Sequence, residues 1–166
     1  MSDHHPHSTA KVAGHPLHPM LIPFPIAFLA AAPITDIVYL STARPGWAEA
    51  SMWLLGAGVA SALLAAVLGF IDFFGDRDVR RLRQAWLHMV GNLIAVALAA
   101  VSFYLRATTG AEAAVAPAGV TLSVATLAIL LFTGWLGGEL VYRHRVGVDD
   151  EAMAAVRVRT GDRLAR

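Results

Sequence analysis

Imidazole and carboxylate side chains are the groups in this sequence best suited to chemistry. Four histidines and two acidic residues stand near the boundaries of long apolar segments: His15, His18, Asp72, His88, Glu139 and His144. Imidazoles bind haem iron and transition-metal ions, and a neighbouring carboxylate can hold the second ring nitrogen. These residue types predict a cofactor site of haem b or a transition metal, and no motif singles out a catalytic residue.

The composition indicates a membrane protein. Hydrophobic residues make up 57% of the chain and charged residues only 15%, whereas a soluble domain carries about 25% charged residues. The sequence contains no cysteine, which excludes disulfides and thiolate ligands. Neither a phosphate loop nor a dinucleotide fingerprint is present, and the net charge of +1 gives no sign of a nucleic-acid partner.

Four segments are long and apolar enough to span a bilayer as helices. They cover residues 21–40, 52–71, 86–105 and 120–142, and short connections make neighbouring spans antiparallel. We predict an all-α integral membrane four-helix up-down bundle at residues 15–148. A polar N-terminal tail (1–14) and a charged tail (149–166) flank it. Residue identities suggest no internal repeat.

The distribution of basic residues predicts the orientation of the bundle. Of the 13 Lys and Arg residues, only Arg44 and Arg106 fall on one side of the predicted spans. Because cytoplasmic loops are enriched in Lys and Arg, both termini are expected in the cytoplasm and the protein in the bacterial inner membrane.

Small and polar residues at helical spacing indicate which helix faces point into the bundle. One row contains Ser61, Ala65, Gly69 and Asp72; a second contains His88, Asn92, Ala95, Ala99 and Ser102; a third contains Ser123, Thr126, Thr133, Gly137 and His144. These rows favour His88 and His144 as the ligand pair at the cytoplasmic side. His15 or His18 is the alternative for either, and Asp72 and Glu139 are the supporting carboxylates.

Three details refine this interpretation. Glu139 and His144 differ by roughly 140° around a helix, so only one of them is expected to join the cluster. The proline-rich stretch around His15 and His18 predicts a bent or extended lead-in, with regular helix beginning near Pro25. Asp36 and Arg106 lie toward the opposite side and are expected to form a structural ion pair.

Two stretches carry a resemblance to a known family. The first runs from Gly14 through His15-Pro16-Leu17-His18-Pro19 to Ala27, and the second runs from Gly134 to His144 and continues into Val146-Gly147-Val148. Both resemble the DUF2231 family of bacterial membrane proteins, although Arg145 stands where the family pattern has Gly. Similar relatives fused to an iron–sulfur domain imply a redox neighbourhood, with a separate redox protein as a partner.

Three functions remain open. The first is a haem- or metal-binding redox membrane protein, and the second is a non-enzymatic membrane subunit or partner anchor whose polar residues serve helix packing. A small-solute transporter is the third, and it would need a homo-oligomer because four spans leave little room for a pathway. The bilayer is a partner in every case.

Overall fold

The computed structural model describes residues 8–148. Within them, four helical segments are long and apolar enough to cross a membrane: Leu17–Thr42, Pro45–Gly75, Arg83–Thr109 and Val115–Tyr142. The predicted all-α four-span bundle is therefore confirmed. Residues 1–7 of the predicted polar tail and the whole of the predicted charged tail, 149–166, fall outside the described residues.

The elements follow one another with few connecting residues. They are β1 (Lys11–Val12), β2 (His15–Pro16), α1 (Leu17–Leu21), α2 (Pro23–Thr42), α3 (Pro45–Gly75), α4 (Arg77–Arg81), α5 (Arg83–Thr109), a π-helical turn (Val115–Gly119) and α6 (Val120–Tyr142). The long helices form a ring in which α2 and α5 each pack against both α3 and α6. Each long helix thus has two neighbours in the bundle.

The long helices extend beyond the apolar windows of the sequence. The second span has 31 residues, or about 46 Å at 1.5 Å per residue, which exceeds a hydrocarbon core of about 30 Å. Pro45 begins α3, where a missing backbone N–H costs nothing because the first turn has no intrahelical acceptor. The helices therefore continue into the interfacial region, and the connections are shorter than expected.

Small side chains fill the centre of the bundle. Ala32, Ala48, Ala95 and Ala99 have no exposed surface, whereas large apolar residues such as Trp53 are 70% exposed. This is the inverse of a soluble protein and is expected when lipid covers the outside. Close helix approach through small residues brings main-chain carbonyls within reach of side chains on neighbouring helices.

The lead-in to the first span is partly extended, as predicted, but helix begins earlier than Pro25. β1 and β2 form a short antiparallel hairpin, and α1 starts at Leu17. Only Ile22 separates α1 from α2, and its own backbone is helical. Proline is tolerated here because the backbone N–H groups in the first turn of a helix have no intrahelical acceptor. Pro19 and Pro23 lie in first turns, so their missing N–H groups cost no helical hydrogen bond.

The end of α6 corrects the placement of His144. The last helical residue is Tyr142, so His144 does not continue the inward row of Ser123, Thr126 and Thr133. Arg145 takes a left-handed φ of 54°, and the Val146 N–H donates to the Leu140 carbonyl at 3.0 Å. This turn ends the helix. It also explains why the family pattern has Gly where this chain has Arg145, because a left-handed residue after a helix is most often Gly.

Candidate functional site

Two imidazoles hold equivalent positions at one end of the bundle, called here the histidine end. It is formed by α1, the first turns of α5 and the last turns of α3 and α6. His18 is half-buried on α1, and its Nδ1 lies 2.9 Å from the carbonyl oxygen of Ala65 on α3. The ring lies over Gly69, where a Cβ atom would be 3.1 Å from the ring Cε1. Glycine therefore leaves the space that the ring occupies.

His88 repeats this arrangement between α5 and α6. Its Nδ1 lies 2.8 Å from the carbonyl oxygen of Thr133, and a Cβ atom on Gly137 would be 3.1 Å from its Cε1. The Thr133 hydroxyl donates to Asn92 Oδ1 at 3.0 Å, and Asn92 Nδ2 donates to the His88 carbonyl at 2.9 Å. The polar groups around His88 thus hold both the ring and its own helix in place.

The hydrogen bonds determine the protonation of each ring nitrogen. A carbonyl oxygen only accepts, so Nδ1 of both His18 and His88 carries the proton and donates it. In the neutral ring, Nε2 then has a free lone pair. Within residues 8–148, no hydrogen bond uses either Nε2. The histidine end therefore presents two ring nitrogens whose lone pairs no hydrogen bond of the described residues uses.

The other two histidine candidates have different surroundings. His15 belongs to β2, is exposed, and places its Nδ1 2.9 Å from the Ala13 carbonyl oxygen. His144 follows the end of α6 and is half-buried, with its backbone N–H donating to Glu139. His18 and His88 therefore share one arrangement of imidazole, carbonyl and glycine that the structure does not show for His15 or His144.

The two carboxylates expected to support an imidazole have other partners. Asp72 Oδ1 accepts from the backbone N–H groups of Thr9 and Ala10 at 2.7 and 2.8 Å and from the Ser8 hydroxyl at 2.9 Å. Glu139 pairs with the exposed side chain of Arg143 at 3.1 Å. Asp72 thus fastens the N-terminal segment to α3, and main-chain carbonyls, rather than these two acids, accept hydrogen bonds from His18 and His88.

Metal coordination by three or more protein ligands is not assembled in the described part of the chain. No group of three His, Cys, Asp or Glu residues there is close enough to hold a metal ion. His18 and His88 would be the residues to hold a haem iron, and their oriented tautomers would suit that role. Of the predicted cofactors, those that need only two protein nitrogens remain for the proposal below.

The opposite end of the bundle, called here the ion-pair end, contains the predicted pair. Arg106 Nη1 and Nη2 each lie 2.9 Å from one oxygen of Asp36, and neither side chain has exposed surface. Arg106 also donates to the hydroxyls of Ser102 and Ser123 at 3.4 Å. Asp36 and Arg106 thus form a closed structural contact between α2 and α5.

Residues 14–150 match the DUF2231 family, which is described as a predicted membrane protein. No curated protein and no solved structure matches the chain.

Proposed function

The chain belongs to the DUF2231 family of predicted membrane proteins, and on that premise we propose that it is a redox protein of the membrane that holds haem b or a transition metal at its histidine end. One observation carries the proposal. Two imidazoles from different spans, His18 and His88, direct Nδ1–H to main-chain carbonyls and leave Nε2 without a hydrogen bond in the described residues.

The chemistry of imidazole supports this reading. A metal-binding histidine usually donates its other ring N–H to a carbonyl or carboxylate, which fixes the tautomer and makes the free nitrogen more basic. Both rings have this support before any ligand is present. Haem b bound in this way would supply a one-electron couple, and the residues' own contribution is to hold two nitrogens at a fixed depth in the bundle.

Orientation and location are part of the proposal. Arg106 is buried in its ion pair, so Arg44 is the one basic residue left at the surface of the ion-pair end within residues 8–148. The histidine end carries α4 with Arg77, Arg80 and Arg81. By the charge rule this end faces the cytoplasm, in the inner membrane, where a separate redox protein would exchange electrons with the cofactor.

A reporter that is active only in the cytoplasm tests the orientation. Fused after Arg166 or inserted near Gly75, it should be active, whereas inserted between Arg44 and Trp47 it should be silent. Activity at the last site would contradict the proposed orientation.

The second candidate function is a membrane subunit or partner anchor whose polar residues serve helix packing. The ion-pair end favours it, because each guanidinium nitrogen of Arg106 donates to Asp36, Ser102 or Ser123. Such a closed network specifies how helices meet and offers no atom to a ligand. In this reading the free Nε2 atoms of His18 and His88 have no further role.

Spectroscopy and metal analysis of the full-length protein in mild detergent separate the two functions. The redox proposal expects near-stoichiometric iron or copper, with a Soret band and reducible α and β bands if the cofactor is haem b. His18→Ala and His88→Ala should each remove the cofactor, and His15→Ala should retain it. Substoichiometric iron, copper and zinc in the parent protein, with no Soret band, would reject the redox function in favour of packing.

A further inference from the structure

The buried positions of the bundle recur along the chain. Asp36 and Arg106 are 70 residues apart, and His88 follows His18 at the same interval. Buried residues of α2 and α5 coincide at that interval: Pro25 with Ala95, Leu29 with Ala99, Ala32 with Ser102, and Asp36 with Arg106. The first and third spans are therefore equivalent in the residues that they turn inward, although few residue identities are shared.

The second and fourth spans repeat in the same way. His18 reaches a carbonyl 47 residues later and His88 one 45 residues later, so the interval between α3 and α6 is two residues shorter. At this interval Leu55 is equivalent to Ser123, Gly58 to Thr126 and Ala65 to Thr133, and all are buried. Gly69 and Gly137, which lie beneath the two rings, are equivalent as well.

Helix packing obeys the same relation. If the two hairpins are equivalent, α5 takes the place of α2 and α6 takes the place of α3. The contact between α3 and α5 then requires an equivalent contact between α6 and α2, and both contacts are present. Two helical hairpins that run in the same direction are related by an axis along the bundle, as in membrane proteins with parallel repeats. This structural repeat replaces the expectation of no repeat from residue identities.

We propose that His18 and His88 form a single two-nitrogen site, built twice by the repeated hairpin, which takes a metal centre that accepts two equivalent imidazoles. This inference rests on the proposed function and narrows it to one ligand pair and one class of ligand. Each half of the site has the same three parts: an imidazole, a carbonyl that holds Nδ1–H, and a glycine four residues after that carbonyl. The iron of haem and a two-coordinate Cu(I) ion share the required chemistry.

Gly69 and Gly137 are positioning residues in this site. A Cβ atom at either position would lie 3.1 Å from a ring carbon, so the ring must shift by a few tenths of an ångström. Loss of groups that support a ligand typically weakens metal binding by about 10–100-fold. Because the halves are equivalent, Gly69→Ala and Gly137→Ala should weaken binding by similar factors.

The test uses the full-length protein in detergent, titrated separately with haemin and with Cu(I) in competition with a coloured chelator. We expect one equivalent to bind in one of the two arms, and that arm identifies the ligand. His18→Ala and His88→Ala should each abolish binding, and the double variant should lose no more than either single variant. Gly134→Ala and His15→Ala are controls that should bind like the parent, since a Cβ at Gly134 meets no atom within 4 Å.

Nitrogen NMR of histidine-labelled protein without ligand gives a second readout. The variants His18→Gln and His88→Gln assign the signals, because each variant lacks the signals of one ring. The assigned shifts of both rings should show a proton on Nδ1 and none on Nε2. The same two signals should both shift when one equivalent of ligand is added.

Three results would overturn the shared site: no uptake in either arm, full binding after loss of one ring, or an effect of Gly69→Ala without one of Gly137→Ala. Failure of the redox function looks different. In that case haemin or Cu(I) binds through both rings, but the bound metal shows no reversible reduction.

Discussion

At the ion-pair end, Asp36 and Arg106 have no exposed surface, and every hydrogen bond described for them stays within the bundle. At the histidine end, His18 and His88 are half-buried, and each uses one ring nitrogen on a carbonyl. The two pairs stand at equivalent positions of the two hairpins. The same repeat thus supplies a buried ion pair at one end and two ring nitrogens without hydrogen bonds at the other. The first pair serves helix packing, whereas the second pair has atoms left for a ligand.

The largest expected effect is at the ion-pair end. Arg106→Met leaves the Asp36 carboxylate buried without its partner, and breaking a buried pair costs about 3–5 kcal/mol. Thermal unfolding in detergent should show a large loss of stability. A double variant, Asp36→Leu with Arg106→Met, should recover much of it because no charge is left buried. Arg44→Met, at an exposed site, is the control.

If Arg106→Met unfolded at the temperature of the parent protein, the ion pair would not hold the hairpins together. The contrast between a closed and an open end would then be lost.

Glycine substitutions on α6 test the close approach at the histidine end. Gly137→Leu places a large side chain where the His88 ring lies, and overpacking costs about 1–3 kcal/mol. Gly134→Leu, three residues earlier on the same helix, meets open space and should leave stability almost unchanged. Gly69→Leu should behave like Gly137→Leu. Equal melting temperatures for the variants at positions 134 and 137 would contradict the packing of His88 on α6.

Removal of an imidazole should affect binding far more than stability. His88→Ala deletes one hydrogen bond to a carbonyl, which contributes about 1 kcal/mol. The melting temperature of the variant should therefore fall only slightly, while its cofactor content falls to background. A destabilisation as large as that of Arg106→Met would show instead that the ring serves packing, and the two ends would be alike.

The smallest expected effect concerns Asp72. Asp72→Asn keeps an acceptor for Thr9 and Ala10 but removes its charge, and hydrogen bonds to charged groups are stronger by about 1 kcal/mol. Hydrogen exchange of those two amides should become faster, with no change in the melting temperature of the bundle. Cofactor content should also be retained. A loss of cofactor would instead show that Asp72 supports an imidazole, as predicted from the sequence. Asp78→Asn is a control within an exposed pair.

The sequence predicts most of the fold because lipid imposes simple rules. Four apolar segments must be helices, and short connections require antiparallel neighbours. The ion pair is also predictable, since Asp36 and Arg106 stand near the same depth of the bundle, away from the other charges. Helix ends are less predictable, because α3 and α5 continue past the apolar windows into polar surroundings.

The candidate site is predictable only in part. His88, Gly69 and Gly137 lie on the predicted inward rows. The acceptors at Ala65 and Thr133 could not be predicted, because every residue has a main-chain carbonyl and the residue type does not indicate which one accepts. The prediction that His144 continues the inward row of α6 is wrong because the helix ends at Tyr142. The left-handed conformation of Arg145 beyond that end is not expected of an arginine. A histidine near the start of one span and a glycine near the end of the next, found twice, is the signal that could have joined His18 with His88.

The separation of Asp36 from Arg106 has a consequence for biosynthesis. Asp36 enters the membrane with the first span, yet its guanidinium partner is made 70 residues later. At about 5–20 residues per second, that delay is roughly 4–14 s. The first hairpin, in contrast, contains its own contacts between His18 and Ala65 and between Ser8 and Asp72. During synthesis the first hairpin can therefore form its contacts at the histidine end while the Asp36 carboxyl at the other end has no guanidinium partner. Cross-linking of arrested chains at position 36 would show what contacts that carboxyl before the third span is made.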